Sequence, residues 1–379
     1  MNAVILKNGI IYDPLTGRNE KRDVGILDDQ IVDVDILRSV QAATIDVDGC
    51  LVTPGLIDYH IHLYSGCDGS VNADIMNLPN GVTTAVDGGT CGVSNYEMFE
   101  KTDIIHAVTE IKSYLNVSPT GLATTLYPEN VDPKYYDVEK MKALFKRYPE
   151  HLVALKYRIS KDIVGPSGLT REPLERTLKI AEELGCPVVV HMVDPIIEAE
   201  EAAAMLRPGD VFCHMYYGKG STILDEQGKV KPGIRKARER GVVFDACNGK
   251  GNFEYKTALP AMKEGFLPDI ISSDISPVTQ YRHPVVTLPR LMAKYIAMGM
   301  TLHQVLDATI LAPARQMGLE KDLATLQAGT RADLSVFRIK EKEMKFYDLN
   351  GAYVTGSCAI IPQLTIKKGV IVYRQTDLD

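Results

Sequence analysis

The chain has 379 residues, of which 45% are hydrophobic and 24% charged, and its formal net charge is −7. This length predicts about two to three domains, and the apolar share is enough for a large buried core. The acidic balance argues against a nucleic-acid partner, and no apolar run reaches the ~18 residues of a membrane-spanning helix. The seven cysteines are scattered and never spaced C-x-x-C, so we expect reduced thiols in a cytoplasmic protein rather than a disulfide framework.

Both ends of the chain predict short β-strands broken by turns. Apolar runs separated by Asp, Gly and Pro occur at residues 4–6, 10–12, 23–27, 332–337, 364–366 and 370–373. Because these two β-rich ends flank a middle of different pattern, we predict one small β-sandwich domain built from residues 1–50 and 320–379.

The middle of the chain alternates strand-like and helical patterns. Eight apolar strand-like runs occur at residues 51–63, 81–87, 111–117, 152–158, 187–193, 211–217, 241–246 and 269–275. Helical spacing of apolar residues lies between most of them, most clearly at residues 137–147, 170–184 and 197–206. The alternation predicts the α/β class, with a parallel (β/α)8 TIM barrel over residues 51–319. Such barrels place their active-site groups at the C-terminal ends of the strands.

Polar residues end several of these apolar strands. His60 and His62 lie two residues apart near the end of the first strand, so strand alternation places both on one face. The other polar groups each end a different strand: Lys156, His191, His214 and Asp274. Burying imidazoles and a carboxylate together is costly unless a divalent metal compensates them, and these side chains are normal metal ligands. The lysine would have to lose its proton or be chemically modified before it could join them.

Residues 54–62, PGLIDYHIH, resemble the P-G-x-I-D-x-H-x-H signature of the amidohydrolase superfamily. The agreement continues, in the expected chain order, through Lys156, His191, His214 and Asp274. Residues 326–334 resemble the return of that family into its small β-sandwich. Within the superfamily the chain is most similar to a dihydroorotase-like group described as metal-dependent deacetylases. The resemblance spans essentially the whole chain.

That resemblance implies a binuclear metal site. Its ligands would be His60, His62 and Asp274 for one divalent cation, His191 and His214 for the second, and Lys156 bridging both as a carbamate formed with carbon dioxide. A hydroxide shared by the cations would be the nucleophile, and Asp274 would orient it and pass its proton to the leaving group. Zinc is the first expectation, with manganese and iron left open. The resemblance also implies a homo-oligomer.

Each of these residues has a structural explanation when it is taken alone. A histidine after an apolar strand is more often a satisfied core group, Asp274 could cap a helix, and Lys156 could be a surface lysine. The ordered set together with the signature favours the metal site. Cys213 is predicted to point away from the barrel axis into packing, whereas Cys247 could face the barrel mouth. The histidines on predicted helices or helix ends are assigned to surface or packing roles: His106, His151 and His303.

Substrate specificity is expected from groups just beyond the ligands. Arg158 shares a face with Lys156 and is the best candidate for binding a substrate carboxylate, with a salt bridge inside the barrel as the alternative. Tyr216 shares a face with His214, and Asn248 lies beyond the seventh strand; each could contact substrate or support a loop. Deacetylase-like relatives tend to carry histidine where this chain has Asn248 and Ser276, so hydrolysis is better supported than any particular acyl group.

The leading hypothesis is therefore a metal-dependent hydrolase of a small carboxylate-bearing molecule. Its substrate would be an amide or ester, such as an N-acyl amino acid or an acylated hydroxy acid. The alternatives are cyclic-amide hydrolysis, as in dihydroorotases, and adenine deamination. A non-catalytic metal-binding scaffold is the alternative of a different class, and the presence of Asp274 argues against it. The sequence has no G-x-S-x-G nucleophile elbow and no glycine motif of a nucleotide-binding loop.

Overall fold

The computed structural model describes residues 2–123, 127–282 and 284–378. The strands in this part of the chain are β1 (Ala3–Lys7), β2 (Ile10–Asp13), β3 (Arg18–Lys21), β4 (Val24–Leu27), β5 (Gln30–Val32), β6 (Ala43–Asp46), β7 (Leu51–Pro54), β8 (Leu56–Ile61), β9 (Val82–Asp87), β10 (Glu110–Asn116), β11 (Leu152–Arg158), β12 (Val188–His191), β13 (Val211–Cys213), β14 (Val243–Asp245), β15 (Leu334–Tyr347), β16 (Tyr353–Lys367) and β17 (Val370–Arg374).

The α-helices of the same residues lie mostly between the barrel strands. They are α1 (Ala73–Asn77), α2 (Tyr96–Thr102), α3 (Val138–Arg147), α4 (Lys161–Val164), α5 (Glu172–Leu184), α6 (Ala199–Met205), α7 (Pro232–Glu239), α8 (Tyr255–Lys263), α9 (Leu288–Ala297), α10 (Leu302–Leu306), α11 (Ala312–Gln316) and α12 (Glu320–Leu323). Short 3-10 helices occur at Val34–Ser39, Leu78–Asn80, Ile104–His106, Pro133–Tyr135 and Gly165–Ser167, and a π-helical turn at Asp307–Leu311 joins α10 to α11.

Seven parallel strands, β8 to β14 in chain order, form the curled sheet of the barrel. Every residue of β8 and β9 is buried, as expected for strands that are covered on both faces. The three clearest predicted helices correspond to α3, α5 and α6. The Asp137 side chain caps α3 by accepting a hydrogen bond from the Lys140 amide, and Gly185, with a φ of 67°, ends α5. The predicted α/β barrel is confirmed.

The eighth predicted strand, residues 269–275, closes the barrel without forming a regular ladder. It makes one parallel bridge, from Ile270 to Asp245 at the end of β14. On its other side the Asp274 amide donates a hydrogen bond to the His60 carbonyl at 2.8 Å. Asp274 has a φ of 48°, which lies outside the strand region, so the ladder cannot continue past it.

The first predicted run, residues 51–63, divides at Gly55 into two strands with different partners. β7 pairs with β2 and β15, whereas β8 begins the barrel. A side chain is excluded at the junction because a Cβ on Gly55 would lie 2.0 Å from Thr83 Oγ1. β7 therefore belongs to the terminal sheet, while the domain limits at residues 50 and 320 stay a prediction.

The two ends of the chain form two further sheets, in the strand orders β5-β4-β1-β6 and β17-β16-β15-β7-β2-β3. Buried side chains of both sheets share one core, which includes Val4, Leu6, Ile26, Val52, Val336 and Ile366. The predicted β-sandwich from both termini is confirmed. Lys367 links it to the barrel, because its ammonium lies 2.6 Å from Asp333 and 3.3 Å from Glu110 at the start of β10.

The described residues contain no candidate for a membrane-spanning helix. None of their helices combines the length and the apolar character that crossing a bilayer would require.

Candidate metal centre

The six predicted ligand residues line one cavity at the C-terminal end of the barrel. They are His60 in β8, His62 just after it, Lys156 in β11, His191 at the end of β12, His214 just after β13, and Asp274 in the closing segment. The cavity has a volume of about 80 Å³, and its other lining residues are Leu122, Glu129, Arg158 and Asn252. Parallel strands thus bring together residues that are far apart in the sequence.

Three of these side chains converge on one point. His62 Nε2 lies 3.4 Å from Asp274 Oδ1, and His60 Nε2 lies 4.0 Å from the same oxygen. One ligand atom from each of the three residues falls within 4.8 Å of the other two. Atoms at this spacing can share a single cation.

His191 and His214 form the opposite side of the cavity. Their ring centroids are 4.4 Å apart, and that of His214 is 5.5 Å from that of His60. His191 Nε2 lies 3.4 Å from Arg158 Nη2. In the described chain, two groups of ligand atoms lie within 4.8 Å of one another, and neither group includes a nitrogen of His191. The assignment of His191 as a ligand therefore stays a prediction.

Hydrogen bonds at Nδ1 fix the ring orientation of two of the histidines. His62 Nδ1 lies 2.7 Å from Thr90 Oγ1, and the threonine hydroxyl already donates to Asp87 at 2.8 Å, so the histidine is the donor. His214 Nδ1 lies 2.7 Å from the carbonyl oxygen of Cys247 and must also donate. A neutral imidazole that donates through Nδ1 keeps a lone pair on Nε2.

The resulting arrangement requires a positive charge between His62 and Asp274. A lone pair on His62 Nε2 and an oxygen of the Asp274 carboxylate face each other at 3.4 Å. Two such atoms repel unless a proton or a cation lies between them. Neutral imidazole nitrogens and carboxylate oxygens are typical ligands of divalent cations, so the donor set fits a divalent metal.

Burial sets the protonation states of the site. Burial, and then the positive charge of Lys156, lowers the pKa of His60 to about 4. Burial, and then the charge of Arg158, lowers the pKa of His191 well below its ordinary value. Burial by itself would raise the pKa of Asp274, but contact with His62, and the positive charge that the neighbouring imidazoles carry whenever they are protonated, hold it below its usual range. His60 and His191 are therefore neutral and Asp274 is ionised, and these are the forms that bind metal.

Lys156 lies among these groups with no carboxylate partner in the described chain. Its side chain is buried, and its Nζ lies 3.5 Å from His60 Nε2. A buried ammonium without an anion is costly. The position therefore calls for a compensating anion or for loss of the positive charge.

The side chain of Cys213 points into the barrel, and the prediction that it faces outward was wrong. Its Sγ lies 3.4 Å from His60 Nδ1, and it packs in one buried cluster with Val211 and Tyr114. The regular alternation of β13 ends here because the next residue, His214, has a φ of 66°. Two consecutive side chains therefore reach the barrel interior.

Three residues at this end of the barrel have left-handed backbone conformations. The φ values are 66° at His214, 36° at Cys247 and 48° at Asp274. Residues other than glycine rarely adopt this region, and each instance costs about 1–3 kcal/mol. Such strain concentrates at functional sites, where the surrounding structure holds it in place.

Arg158 reaches the cavity and is also ion-paired. Its Nη1 donates to Glu129 Oε2 at 3.2 Å, and the side chain stays 30% exposed while that of Glu129 is 2% exposed. The alternative expected from the sequence, a salt bridge, is present, while carboxylate binding by Arg158 stays a prediction. The glutamate holds one edge of the guanidinium, and the other edge remains beside the cavity.

Tyr216 and Asn248 are not brought to the cavity. The Tyr216 hydroxyl donates to the Phe266 carbonyl at 2.7 Å, and its side chain is fully buried. The amide of Asn248 is also buried, with Oδ1 accepting from Lys294 Nζ at 2.9 Å and Nδ2 donating to the Ser272 carbonyl at 3.3 Å. Both side chains support the structure around the site, so the predicted substrate contacts find no support in the geometry.

Two polar residues of the cavity were missed from the sequence. Glu129 lies in the long connection after β10, which carries no strand or helix pattern that would have placed it. Asn252 follows the glycine-rich residues 249–251, and its Nδ2 donates to Asp274 Oδ2 at 2.8 Å. Because that loop follows the seventh barrel strand, its position in the sequence could have indicated that Asn252 lies near the cavity.

The other three histidines considered from the sequence do not line the cavity. His151 pairs with Glu100 at 2.9 Å, and His303 stacks on Tyr12 with ring centroids 4.7 Å apart. His106 is exposed at the end of a 3-10 helix.

The chain resembles known proteins both in sequence and in fold. The sequence pattern of the Amidohydrolase family matches residues 51–372. Deacetylase Atu3266 of Agrobacterium fabrum is 33% identical over 310 residues, which cover 81% of this chain and 75% of that protein. Crystal structures of an adenine deaminase and of a dihydroorotase each superpose with a TM-score of 0.90 at 28% identity. These alignments cover 99% of this chain and 100% and 98% of the two solved chains, respectively.

Proposed function

Because the chain belongs to the amidohydrolase family, a family of hydrolases that generally bind divalent metals, we propose that it removes an acyl group from a small carboxylate-bearing molecule. The bond cleaved would be an amide or an ester, as in an N-acyl amino acid or an acylated hydroxy acid. The observation that carries the proposal is that all six predicted ligands and Arg158 line the same cavity.

The proposed cofactor is a pair of divalent cations, zinc before other metals. His60, His62 and Asp274 would hold one cation, and His191 and His214 the other. When bound, the cations would polarise the scissile carbonyl and lower the pKa of water. The short contact between His62 and Asp274 and the inward lone pairs support this assignment.

Lys156 is proposed to be carboxylated. Its amine would add to carbon dioxide and release a proton, which replaces a positive charge by a carbamate with two oxygen donors. This change would remove the cost of a buried ammonium and let the side chain bridge both cations. The lack of a carboxylate partner in the described chain supports the modification.

Asp274 is proposed as the proton carrier. Its pKa lies below the usual range, so the carboxylate is ionised, and Asn252 holds its second oxygen at 2.8 Å. Accepting a proton and passing it to the leaving group is general acid–base catalysis. The arrangement leaves Oδ1 for the metal side and Oδ2 for the hydrogen bond that orients the carboxylate.

Arg158 is proposed to bind the substrate carboxylate. An adjoining cavity of about 460 Å³ shares His62, Leu122, Glu129 and Arg158 with the metal cavity, and it has room for the remainder of a small substrate. A guanidinium whose one edge is held by Glu129 is oriented before substrate arrives, which favours a directional contact with a carboxylate.

Several wider expectations remain proposals. They are a composite sandwich domain of residues 1–50 and 320–379 beside a catalytic barrel of residues 51–319, a homo-oligomer, a cytoplasmic location and no nucleic-acid partner.

A second candidate function is ring opening of a cyclic amide, or deamination of adenine. The similarity of this chain to the dihydroorotase and adenine deaminase structures, each with a TM-score of 0.90, supports this second candidate. A panel that includes a cyclic amide, adenine and N-acetyl amino acids separates the candidates, because each reaction releases a different product.

The test uses Lys156→Ala beside Lys179→Ala, in which the lysine removed is exposed on α5. We expect the wild-type protein to hold divalent metal and to hydrolyse members of the acyl panel. Turnover by Lys156→Ala should fall by more than about 100-fold, beyond the 10–100-fold typical of residues that only support ligands, and added short carboxylic acids should restore part of it. Wild-type turnover in Lys156→Ala would overturn the proposal.

A further inference from the structure

Two buried thiols lie directly beneath the metal cavity. All seven cysteines are free, and the side chains of Cys213 and Cys247 are fully buried in the same cluster as Tyr59 and Tyr114. One ligand atom each from Cys213, Cys247, His60 and His214 falls within 4.8 Å of the other three. The thiols therefore lie close to histidines of both proposed cations.

Cys213 contacts the nitrogen of His60 that faces away from the cavity. Its Sγ lies 3.4 Å from Nδ1, whereas Nε2 of the same ring faces Lys156 at 3.5 Å and Asp274 at 4.0 Å. If Nε2 keeps its lone pair for a cation, Nδ1 carries the proton and the sulfur accepts its hydrogen bond.

Cys247 is the corresponding hydrogen-bond partner of His214, but through its backbone carbonyl rather than its side chain. Its carbonyl oxygen accepts from His214 Nδ1 at 2.7 Å. The residue has a φ of 36°, and its amide is held by the Asp245 carboxylate at 3.0 Å. The hydrogen bonds of its amide and of its carbonyl hold this strained conformation in place, and they thereby fix the position of the carbonyl.

We propose that Cys213 and Cys247 are positioning residues that fix the tautomer and ring orientation of His60 and His214 in the metal centre. Cys213 acts through its sulfur and Cys247 through its carbonyl. The inference rests on the proposed metal site. Partners of the second imidazole nitrogen are usually carboxylates, carbonyls or water, so the thiol is the unusual member.

Two pairs of variants separate positioning from packing. Cys213→Ser keeps a hydrogen-bond acceptor and Cys213→Ala removes it. Cys247→Gly adopts positive φ readily and keeps the carbonyl in place, whereas Cys247→Val places a β-branched residue where that conformation is disfavoured. Cys50→Ala is the matched control, because Cys50 is a fully buried thiol in the terminal sandwich.

The measurements are zinc affinity, by titration of metal-free protein, and the visible spectrum after cobalt(II) loading. We expect Cys213→Ala and Cys247→Val to bind zinc about 10–100-fold more weakly, with Cys213→Ser, Cys247→Gly and Cys50→Ala close to wild type. The cobalt spectrum of the two weak variants should shift. Wild-type protein should show no thiolate-to-cobalt charge-transfer band, because the thiols lie outside the ligand shell.

Unchanged zinc affinity in both Cys213→Ala and Cys247→Val would overturn the inference. A thiolate-to-cobalt band in wild type would also overturn it, since the sulfurs would then be ligands. Circular dichroism of the metal-free proteins checks that the variants fold. Metal binding without hydrolysis would reject the proposed function and leave this inference intact, whereas wild-type protein that binds no metal would reject both.

Discussion

Asn252 Nδ2 donates a hydrogen bond to Asp274 Oδ2 at 2.8 Å, while Oδ1 of the same carboxylate faces His62 Nε2 at 3.4 Å. The two oxygens of one side chain thus have different partners. This arrangement fixes the plane of the carboxylate, which a proton carrier requires if one oxygen is to stay directed at the reacting atoms.

Replacing Asn252 should therefore slow the chemical step. In Asn252→Ala the Oδ2 atom loses a hydrogen bond to a charged group, which is worth about 1.5–3 kcal/mol, so we expect kcat to fall about 10-fold or more with little change in KM. Asn19→Ala removes an exposed asparagine remote from the site and serves as the control. Equal kcat values for Asn252→Ala and wild type would mean that Asp274 needs no help from this loop.

Replacing Arg158 should affect substrate binding more than chemistry. We expect Arg158→Gln to raise KM for a carboxylate substrate about 10–100-fold, because a charge-assisted hydrogen bond of about 1.5–3 kcal/mol is lost. KM for the corresponding uncharged amide should not change. Arg338→Gln is the matched control, since Arg338 is also 30% exposed and ion-paired, with Asp377. A similar rise in KM for both substrates would show that Arg158 only maintains the cavity.

Removing the metal should destabilise the protein. A cation present at about 1,000 times its dissociation constant adds about 4 kcal/mol to the free energy of unfolding, so treatment with a chelator should lower Tm by several degrees. The double variant His60→Ala/His191→Ala should show no shift with the same chelator. A Tm that chelation leaves unchanged in wild type would contradict the proposed centre.

Lys294 should make the stability of the protein depend on pH. Its ammonium lies 3.0 Å from the centroid of the Phe253 ring and donates to Asn248, and burial lowers its pKa well below the ordinary value of 10.5. Between the folded pKa and 10.5 the unfolded chain binds the extra proton. The free energy of unfolding therefore rises with pH across that window, by up to about 1.4 kcal/mol per pH unit.

Denaturant titrations of wild type and Lys294→Met at pH 7 and pH 9 measure this slope. We expect wild type to gain stability relative to Lys294→Met as the pH rises, whatever the difference at pH 7. Lys179→Met, which removes an exposed lysine, should follow wild type at both values. Parallel curves for wild type and Lys294→Met would show that Lys294 titrates normally.

The residues at the strand ends were predictable because a parallel sheet places them by a simple rule. His60 and His191 end runs of buried apolar residues, and the rule that barrel sites lie at C-terminal strand ends predicted their meeting. The same rule failed just beyond the strands. Cys213 and Asn248 adjoin residues with positive φ, His214 and Cys247, where strand alternation no longer applies.

Glu129 illustrates a different limit. It reaches the cavity from an irregular connection, where neither periodicity nor capping residues fix the path of the chain. Its side chain is held by Asn116 at 2.7 Å as well as by Arg158, two residues at the ends of different strands. Tertiary packing, rather than local sequence, places this residue.

The position of β7 has a consequence for synthesis of the protein on the ribosome. This strand emerges early, but one of its two neighbours, β15, begins only at Leu334. Until then one edge of β7 carries unpaired backbone groups, and such an edge can recruit strands from other nascent chains. Chaperone dependence during translation should therefore be greatest before β15 has left the exit tunnel.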